Sequence, residues 1–447
     1  MCFSRSRRQP ERHKGSRQGT PFLARSEKLE LPTTWIDEIR SNKYSSLYGP
    51  FADAIPRITP QLLLLFLELS KFALPFVVIW TRVSYGVAGV RPGIFADFGR
   101  HPSRPILTPR QGNSISASFH IGILPNRPIS DFVDWIARAD ALGFSGVWVA
   151  DSQSVFRDAY MALTLFAGRT KNMKLATGVT NAVTRHPAVI ADSFATLDEL
   201  SGGRAVLGIG VGDSAVYTLG QKPSRLKRLE EFIGVIRTLM AGDTAHFDGQ
   251  DIKVSWPPRQ VPIVIACTGP KSLQLAGRIA DGVLFQVGAD PALVRYARKN
   301  IEIGAKKGDR DPATIKLYQR LACGVAEDRE QVRAEVRGYA SVAAGTVFSA
   351  VPKEDIPEDL WLELKHMKQQ YDYHQHGNMM SRQAELVTDR ILDAIAIAGT
   401  PDDVVPRFKE LMALGVDNFV LPIATKEPDA IITMLAEKVI PRINETS

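Results

Sequence analysis

The sequence predicts an α/β fold, a TIM (β/α)8 barrel with insertions and an extra N-terminal leader, on three observations. From Phe119 onward, eight short apolar runs alternate with amphipathic stretches. Each intervening stretch is long enough to carry the chain back over a sheet, so the strands should run parallel. A helix, a glycine and a strand follow one another near both ends of this region, at Leu142-Gly143 before Val147 and at Leu414-Gly415 before Val416. Eight such units favour a closed barrel over an open doubly wound sheet.

In chain order, Phe119–Leu124 reads as a buried strand. Asp131–Leu142 follows as a helix with Phe132, Val133, Ile136 and Ala139 on one side, closed by Gly143. Gly146–Ala150 is the second strand and ends at Asp151. Further strands are expected at 173–179, 204–210, 262–266, 282–287 and 315–325, and the eighth at 416–421. Two excursions interrupt the alternation. His246–Val254 reads as a hairpin turning at Asp248-Gly249. Residues 348–385 form a larger insertion with Trp361, Tyr371, Tyr373, His374 and His376, expected to act as a lid over the active face. His374 and His376 do not form a helical metal motif, because positions i and i+2 diverge.

With 447 residues, 45% hydrophobic and 23% charged, the chain can bury a large core. Its net charge of +7 is unevenly spread: residues 1–117 carry 17 Lys and Arg against 8 Asp and Glu, the remainder 38 against 40. The barrel region, 118–445, therefore has no charge signature for nucleic acid. Residues 1–57, rich in Arg, Ser and Pro, are expected to be disordered. Gln61–Trp80 is nearly long enough to cross a bilayer, but Glu68, Lys71 and Pro75 interrupt it, and mid-span charges oppose insertion. A membrane anchor in the leader is thus disfavoured, and an over-extended reading frame is a further explanation of residues 1–117. Cys2, Cys267 and Cys323 are too few and scattered for a disulfide framework or a structural zinc site, which fits a reducing, cytoplasmic setting.

Chemistry in such a barrel lies at the carboxyl ends of the strands. That rule selects Asp151-Ser152-Gln153, Gly178-Val179-Thr180-Asn181, Gly210-Val211-Gly212-Asp213, Cys267-Thr268-Gly269-Pro270 and Gln286-Val287-Gly288. They contain no cluster with metal-ligand spacing and no Gly-x-Ser-x-Gly elbow. The most conspicuous stretch is Gly202–Ser214, a tight turn, an apolar strand and a glycine-rich opening that ends at Asp213. Glycines 208, 210 and 212 are expected to clear side chains from a surface that a flat or anionic ligand approaches. It is no P-loop, since no Gly-Lys-Ser/Thr follows, and Pro223 delays the next helix, against a dinucleotide fingerprint.

Five ordered motifs, Thr177–Asn181, Arg185-His186-Pro187, Thr196–Arg204, Leu207–Ser214 and Gly269-Pro270-Lys271, resemble the luciferase-like monooxygenase superfamily. Within it they are most similar to the branch that uses the deazaflavin coenzyme F420, typified by methylenetetrahydromethanopterin reductases. The resemblance spans about residues 118–445 and implies a cofactor ring across the barrel mouth. It places Gly178 and Val179 under the ring at a strained peptide or bulge, with Asp151, Ser152, Thr180, Asn181, Gly210, Val211 and Gly212 around it. Thr268, Gly269, Pro270 and Lys271 would meet the cofactor phosphate at a helix N-terminus. Two departures bear on the reaction. Ser152 stands where related alcohol and sugar-phosphate dehydrogenases carry a histidine, and Asp213 stands where they carry a longer glutamate.

The expectation is an F420-dependent oxidoreductase that moves a hydride between the deazaflavin and a C=C, C=N or C=O bond of a small organic substrate. Asp213 is the candidate proton donor or its orienter, and Gln153 and Asn181 the candidate positioning groups. The alternative is an FMN-dependent monooxygenase of the same superfamily that uses molecular oxygen. A homodimer is the candidate assembly that the resemblance implies.

Overall fold

The structure, a computed structural model, describes residues 116–370, 382–423 and 428–445. The leader's expected disorder over 1–57, the apolar stretch 61–80, and Tyr371, Tyr373, His374 and His376 lie outside the described residues. Eight parallel strands form the central sheet: Ser118–Ile123, Gly146–Val149, Lys174–Thr177, Ala205–Gly210, Ile263–Cys267, Gly282–Phe285, Lys316–Arg320 and Asn418–Pro422. They pair in that order, and the last pairs with the first, so the barrel is closed.

Alternation along the strands sorts the apolar residues into two cores. Trp148, Ala176, Val206, Val264, Leu284, Tyr318 and Val420 make one cluster inside the barrel. Their neighbours in sequence, such as Val147, Leu175, Leu207, Val283 and Phe419, join the larger core beneath the surrounding helices. His120 lies within the barrel, its ring edge-on to Trp148 and Tyr318 at centroid distances of 6.3 and 5.5 Å. Burial holds its pKa down to about 4, so the imidazole is neutral at neutral pH and serves as interior packing.

Helix starts follow the side chains that satisfy their first amides. Asp158 accepts from the amides of Tyr160 and Met161 at the head of Ala159–Arg169. Asp290 does the same for Pro291–Lys307, and Thr400 with Asp403 forms a capping box on Pro401–Ala413. The first predicted helix appears as Ser130–Ala141, with Phe132, Trp135, Ile136 and Ala139 buried.

The eight expected strands are all present, with one correction. The run at 315–325 is broken at Leu321: Lys316–Arg320 stays in the barrel, while Ala322–Val325 pairs in parallel with Ala396–Gly399. That second strand is four residues long and follows directly on the helix Asp389–Ile395, too short to impose a period of its own. The hairpin forms as expected, Ala245–Phe247 against Gln250–Ile252, with Asp248 and Gly249 at φ of 48° and 81°. The helix Arg329–Ala350 runs into the large insertion, and within the insertion Glu358–Gln369 is helical, with Leu360, Leu364 and Met367 buried. Among the described residues no helix is long and apolar enough to cross a membrane.

The glycines of the fourth strand are a second correction. A Cβ on Gly208 would lie 2.0 Å from the Thr177 carbonyl oxygen and 2.9 Å from Trp148 Cζ3. A Cβ on Gly212 would lie 2.4 Å from Val216 Cγ2, whereas on Gly210 its nearest neighbour would be Val179 Cγ2 at 3.4 Å. The space at 208 and 212 is filled by the chain itself and is not kept open for a ligand. Replacing Gly208 by Ala should therefore cost roughly 3 kcal/mol, and Gly210 by Ala less than about 1 kcal/mol. Denaturant unfolding of the two variants checks this, and equal losses would contradict it.

Candidate active site

A buried acid anchors one side of the mouth. Asp151 lies just beyond the second strand, its side chain 2% exposed, and its carboxylate is paired with the Arg185 guanidinium. Arg185 comes from the segment before Pro187–Ser201 and also donates to Asp158 at 2.8 Å. Its Cζ lies 4.1 Å from the centroid of the Tyr160 ring, and the Tyr160 hydroxyl donates to Thr180 Oγ1 at 3.3 Å. Burial pushes the pKa of Asp151 up; the Arg185 charge opposes this without cancelling it, so the carboxyl stays above its ordinary 3.8. The buried Tyr160 hydroxyl is raised for the same leading reason.

The loops after the second and fourth strands are tied together. Ser152 Oγ and Ser214 Oγ share a hydrogen bond of 2.7 Å, and Gln153 Nε2 donates to the Ala215 carbonyl. Gln153 Oε1 is buried and has no partner among the described residues. Asp213 starts the short helix Ser214–Tyr217 through its carbonyl, which accepts from the amides of Val216 and Tyr217 at 2.8 and 3.0 Å. Its side chain makes no capping hydrogen bond, and the residue is exposed.

The third strand is interrupted at the expected place, by a cis peptide between Gly178 and Val179. A two-residue strand, Thr180–Asn181, then pairs with Ile209 and Gly210. A Cβ on Gly178 would lie 2.9 Å from Trp148 Cβ, so glycine is required there. The Asn181 side chain accepts from the amides of Val183 and Thr184 at 3.0 and 2.9 Å and donates to Thr184 Oγ1 at 3.0 Å. Asn181 therefore builds its own turn and has little left for a ligand. Val211 is half-buried against the core.

After the neighbouring fifth strand, Gly269 caps Pro270–Ile279 without a side-chain bond, and its carbonyl accepts from Leu273 N at 3.0 Å and Ser272 Oγ at 2.9 Å. The amides of Lys271 and Ser272 belong to the first turn, which has no intrahelical acceptors for them. Lys271 is exposed beside them. Thr268 is fixed by its carbonyl, which accepts from Tyr296 at 3.1 Å, and by Oγ1, which donates to Gln286 O at 3.4 Å. The end of Arg329–Ala350 comes close: a Cβ on Gly269 would lie 3.4 Å from the Ala350 carbonyl oxygen.

Two charged residues of the mouth were not singled out by sequence reasoning. Arg185 stood in a quoted motif without a role, and only the fold brings it to Asp151. Arg320 ends the seventh strand and lines a small hollow with Gly122, Trp148, Gly178, Leu284 and Val420. The usable signal was an ionisable residue two places beyond Tyr318, on the same face of the strand.

The Asp151–Arg185 pair carries a stability prediction. Arg185→Gln leaves a buried carboxylate without its counter-charge, a loss of roughly 2–4 kcal/mol at neutral pH given that Arg185 is partly exposed. Asp151 is raised in the folded protein and rises further in the variant. The deficit is therefore full above the variant's further raised pKa and shrinks as the pH falls from there through the raised wild-type pKa, because a protonated carboxyl needs no cation. Unfolding of both proteins at neutral and acidic pH checks this; a deficit that grows in acid contradicts it.

Comparison with known proteins agrees with this geometry. The luciferase-like monooxygenase family profile matches residues 107–418. The 5,10-methylenetetrahydromethanopterin reductase of Methanolobus tindarius is 33% identical over 326 residues, which cover 70% of this chain and 97% of that protein. The F420-dependent glucose-6-phosphate dehydrogenase of Microbacterium testaceum is 27% identical over 71% of this chain and 94% of its own length. Among solved structures, the coenzyme F420 dependent tetrahydromethanopterin reductase from Methanopyrus kandleri superposes with a TM-score of 0.61 at 25% identity, covering 73% of this chain and 99% of that one. On the match over most of its barrel and on nearly full-length relatives, this chain belongs to the luciferase-like monooxygenase family.

Proposed function

We propose that this chain is an F420-dependent oxidoreductase acting on a C=C, C=N or C=O bond of a small organic substrate. The observation that carries the reading is the set of polar groups left uncommitted around one mouth. These are the open first turn at Lys271 and Ser272, the unpaired Gln153 Oε1, and the free Asp213 side chain. The residues fit a deazaflavin. The first turn with Lys271 suits a phosphate, Gln153 Oε1 suits a ring N–H, and the backbone at Gly178–Val179 lies in the floor between Trp148 and Gly210. Relatives with F420 in their names support the same cofactor.

Bound F420 supplies the hydride from C5 when reduced. The chain's own part is positional and protic. Asp151, held by Arg185, keeps a fixed buried charge near the second strand. Gln153 is clamped through Nε2 and presents Oε1, and the paired serines 152 and 214 hold the two loops in register. Asp213 is exposed and without a capping bond, so it is the carboxyl able to pass a proton to or from substrate. The helix Arg329–Ala350 contributes a wall, with Ala350 beside Gly269 and Tyr339 beside Arg320.

Purified protein should bind F420 and oxidise its reduced form in the presence of an activated alkene, imine or carbonyl substrate, read as the return of the oxidised deazaflavin absorbance. Asp213→Asn should lower turnover by roughly 100-fold while changing F420 affinity by less than about threefold. Tight FMN binding with oxygen consumption, and no F420 binding, would select the monooxygenase reading; full activity in the variant would leave Asp213 structural.

A further inference from the structure

Among the described residues, Arg320 is a charged group at the rim of the barrel interior whose chemistry the proposed reaction does not use. It is the last residue of Lys316–Arg320 and stands in register with Val420, which faces the barrel interior. Tyr318, two residues earlier, belongs to that same interior cluster. The side chain of Arg320 therefore continues the inward row to the rim. The hollow it lines is otherwise apolar or glycine, bounded by Trp148, Leu284, Val420, Gly122 and Gly178.

Its protein partner is neutral. The guanidinium lies beside Tyr339 of Arg329–Ala350, Cζ 5.9 Å from the ring centroid. No ion pair links it to a carboxylate among the described residues. Several other arginines of this barrel hold carboxylates. Arg185 has Asp151 and Asp158, Arg333 has Asp389 and Asp393, and Arg390 has Asp290 and Asp359. A guanidinium has five donors, and a neighbouring aromatic ring leaves most of them unmet. Apolar walls strengthen any charge–charge contact made there and raise the cost of leaving the cation without an anion. The fork geometry matches a carboxylate or phosphate bidentately.

We propose that Arg320 is the anion receptor of the substrate pocket, so that the substrate carries a carboxylate or a phosphate next to its reacting bond. The inference rests on the oxidoreductase reading for the word substrate, but not for the binding of an anion. Tyr339 is the positioning residue that aims the guanidinium into the hollow. Lys271, which follows the fifth strand, is left to the cofactor.

The test uses the full chain, with and without F420, and three probes followed by calorimetry: crotonate, its neutral amide crotonamide, and inorganic phosphate. Crotonate should bind roughly 10- to 100-fold more tightly than crotonamide. Arg320→Gln should abolish that preference, Arg320→Lys should keep part of it, and Tyr339→Phe should weaken it by about threefold to tenfold. F420 affinity, read by fluorescence, should change by less than about threefold in all three variants. Crotonate tighter than phosphate assigns a carboxylate substrate and the reverse a phosphorylated one; either supports the receptor. Equal binding of crotonate, phosphate and crotonamide overturns it. So does a preference that survives in Arg320→Gln, or a loss of F420 affinity with the preference intact. If Arg320→Gln does not fold, the Lys and Phe variants carry the test. If wild type binds no F420, the proposed reaction fails, while the anion preference of the cofactor-free chain still decides the receptor.

Discussion

The closure of this barrel depends on how closely its third and fourth strands approach at Gly208. Thr177 Oγ1 donates to the Gly208 carbonyl at 2.7 Å, and the Thr177 carbonyl occupies the place where a side chain at 208 would stand. Only glycine allows both, so the seam and the register Leu175 with Ala205 are set together. Immediately beyond, the third strand turns through Gly178–Val179 and resumes against Ile209 and Gly210. The displaced backbone becomes part of the floor of the mouth. A packing requirement between two strands thus shapes the surface on which a flat ligand would lie.

Around that floor the polar groups fall into two sets. One set is spent on the protein: Asp151 on Arg185, Ser152 on Ser214, Gln153 Nε2 on Ala215, and Asn181 on its own turn. These contacts hold the loops after the second, third and fourth strands as one rigid rim, because each buried donor or acceptor left unpaired would cost more than the bond contributes. The other set is unspent: Gln153 Oε1, the Asp213 side chain, the first amides of Pro270–Ile279, and most of the Arg320 donors. Function is to be sought in the second set, since the first has no capacity left.

That division explains what was legible in the sequence. Period-two runs and the helices between them are local, so eight strands and the closed topology could be read from them, as could the Asp248-Gly249 turn. The assignment of individual side chains was not legible, because it depends on partners far along the chain. Gln153 meets Ala215, 62 residues away, and Arg185 meets Asp151, 34 residues away. Glycine spacing at 208, 210 and 212 looked like room for a ligand, but two of the three spaces are filled by Thr177 and Val216. Arg320 was hidden inside a run read as one strand, and its inward direction follows only from the break at Leu321 and the pairing with Val420.

The charge distribution sharpens the argument for a local receptor. The excess of basic residues lies in 1–117, while the remainder carries 38 Lys and Arg against 40 Asp and Glu, so the barrel has no strong overall field to draw in anions. A cation that attracts an anion here must do so at short range, inside walls such as Trp148, Leu284 and Val420 that exclude water. Interactions of that kind are screened far less by salt than those on an open surface. Selectivity for a charged substrate would then reside in one guanidinium and the phenol that aims it, and not in the basic character of the whole chain.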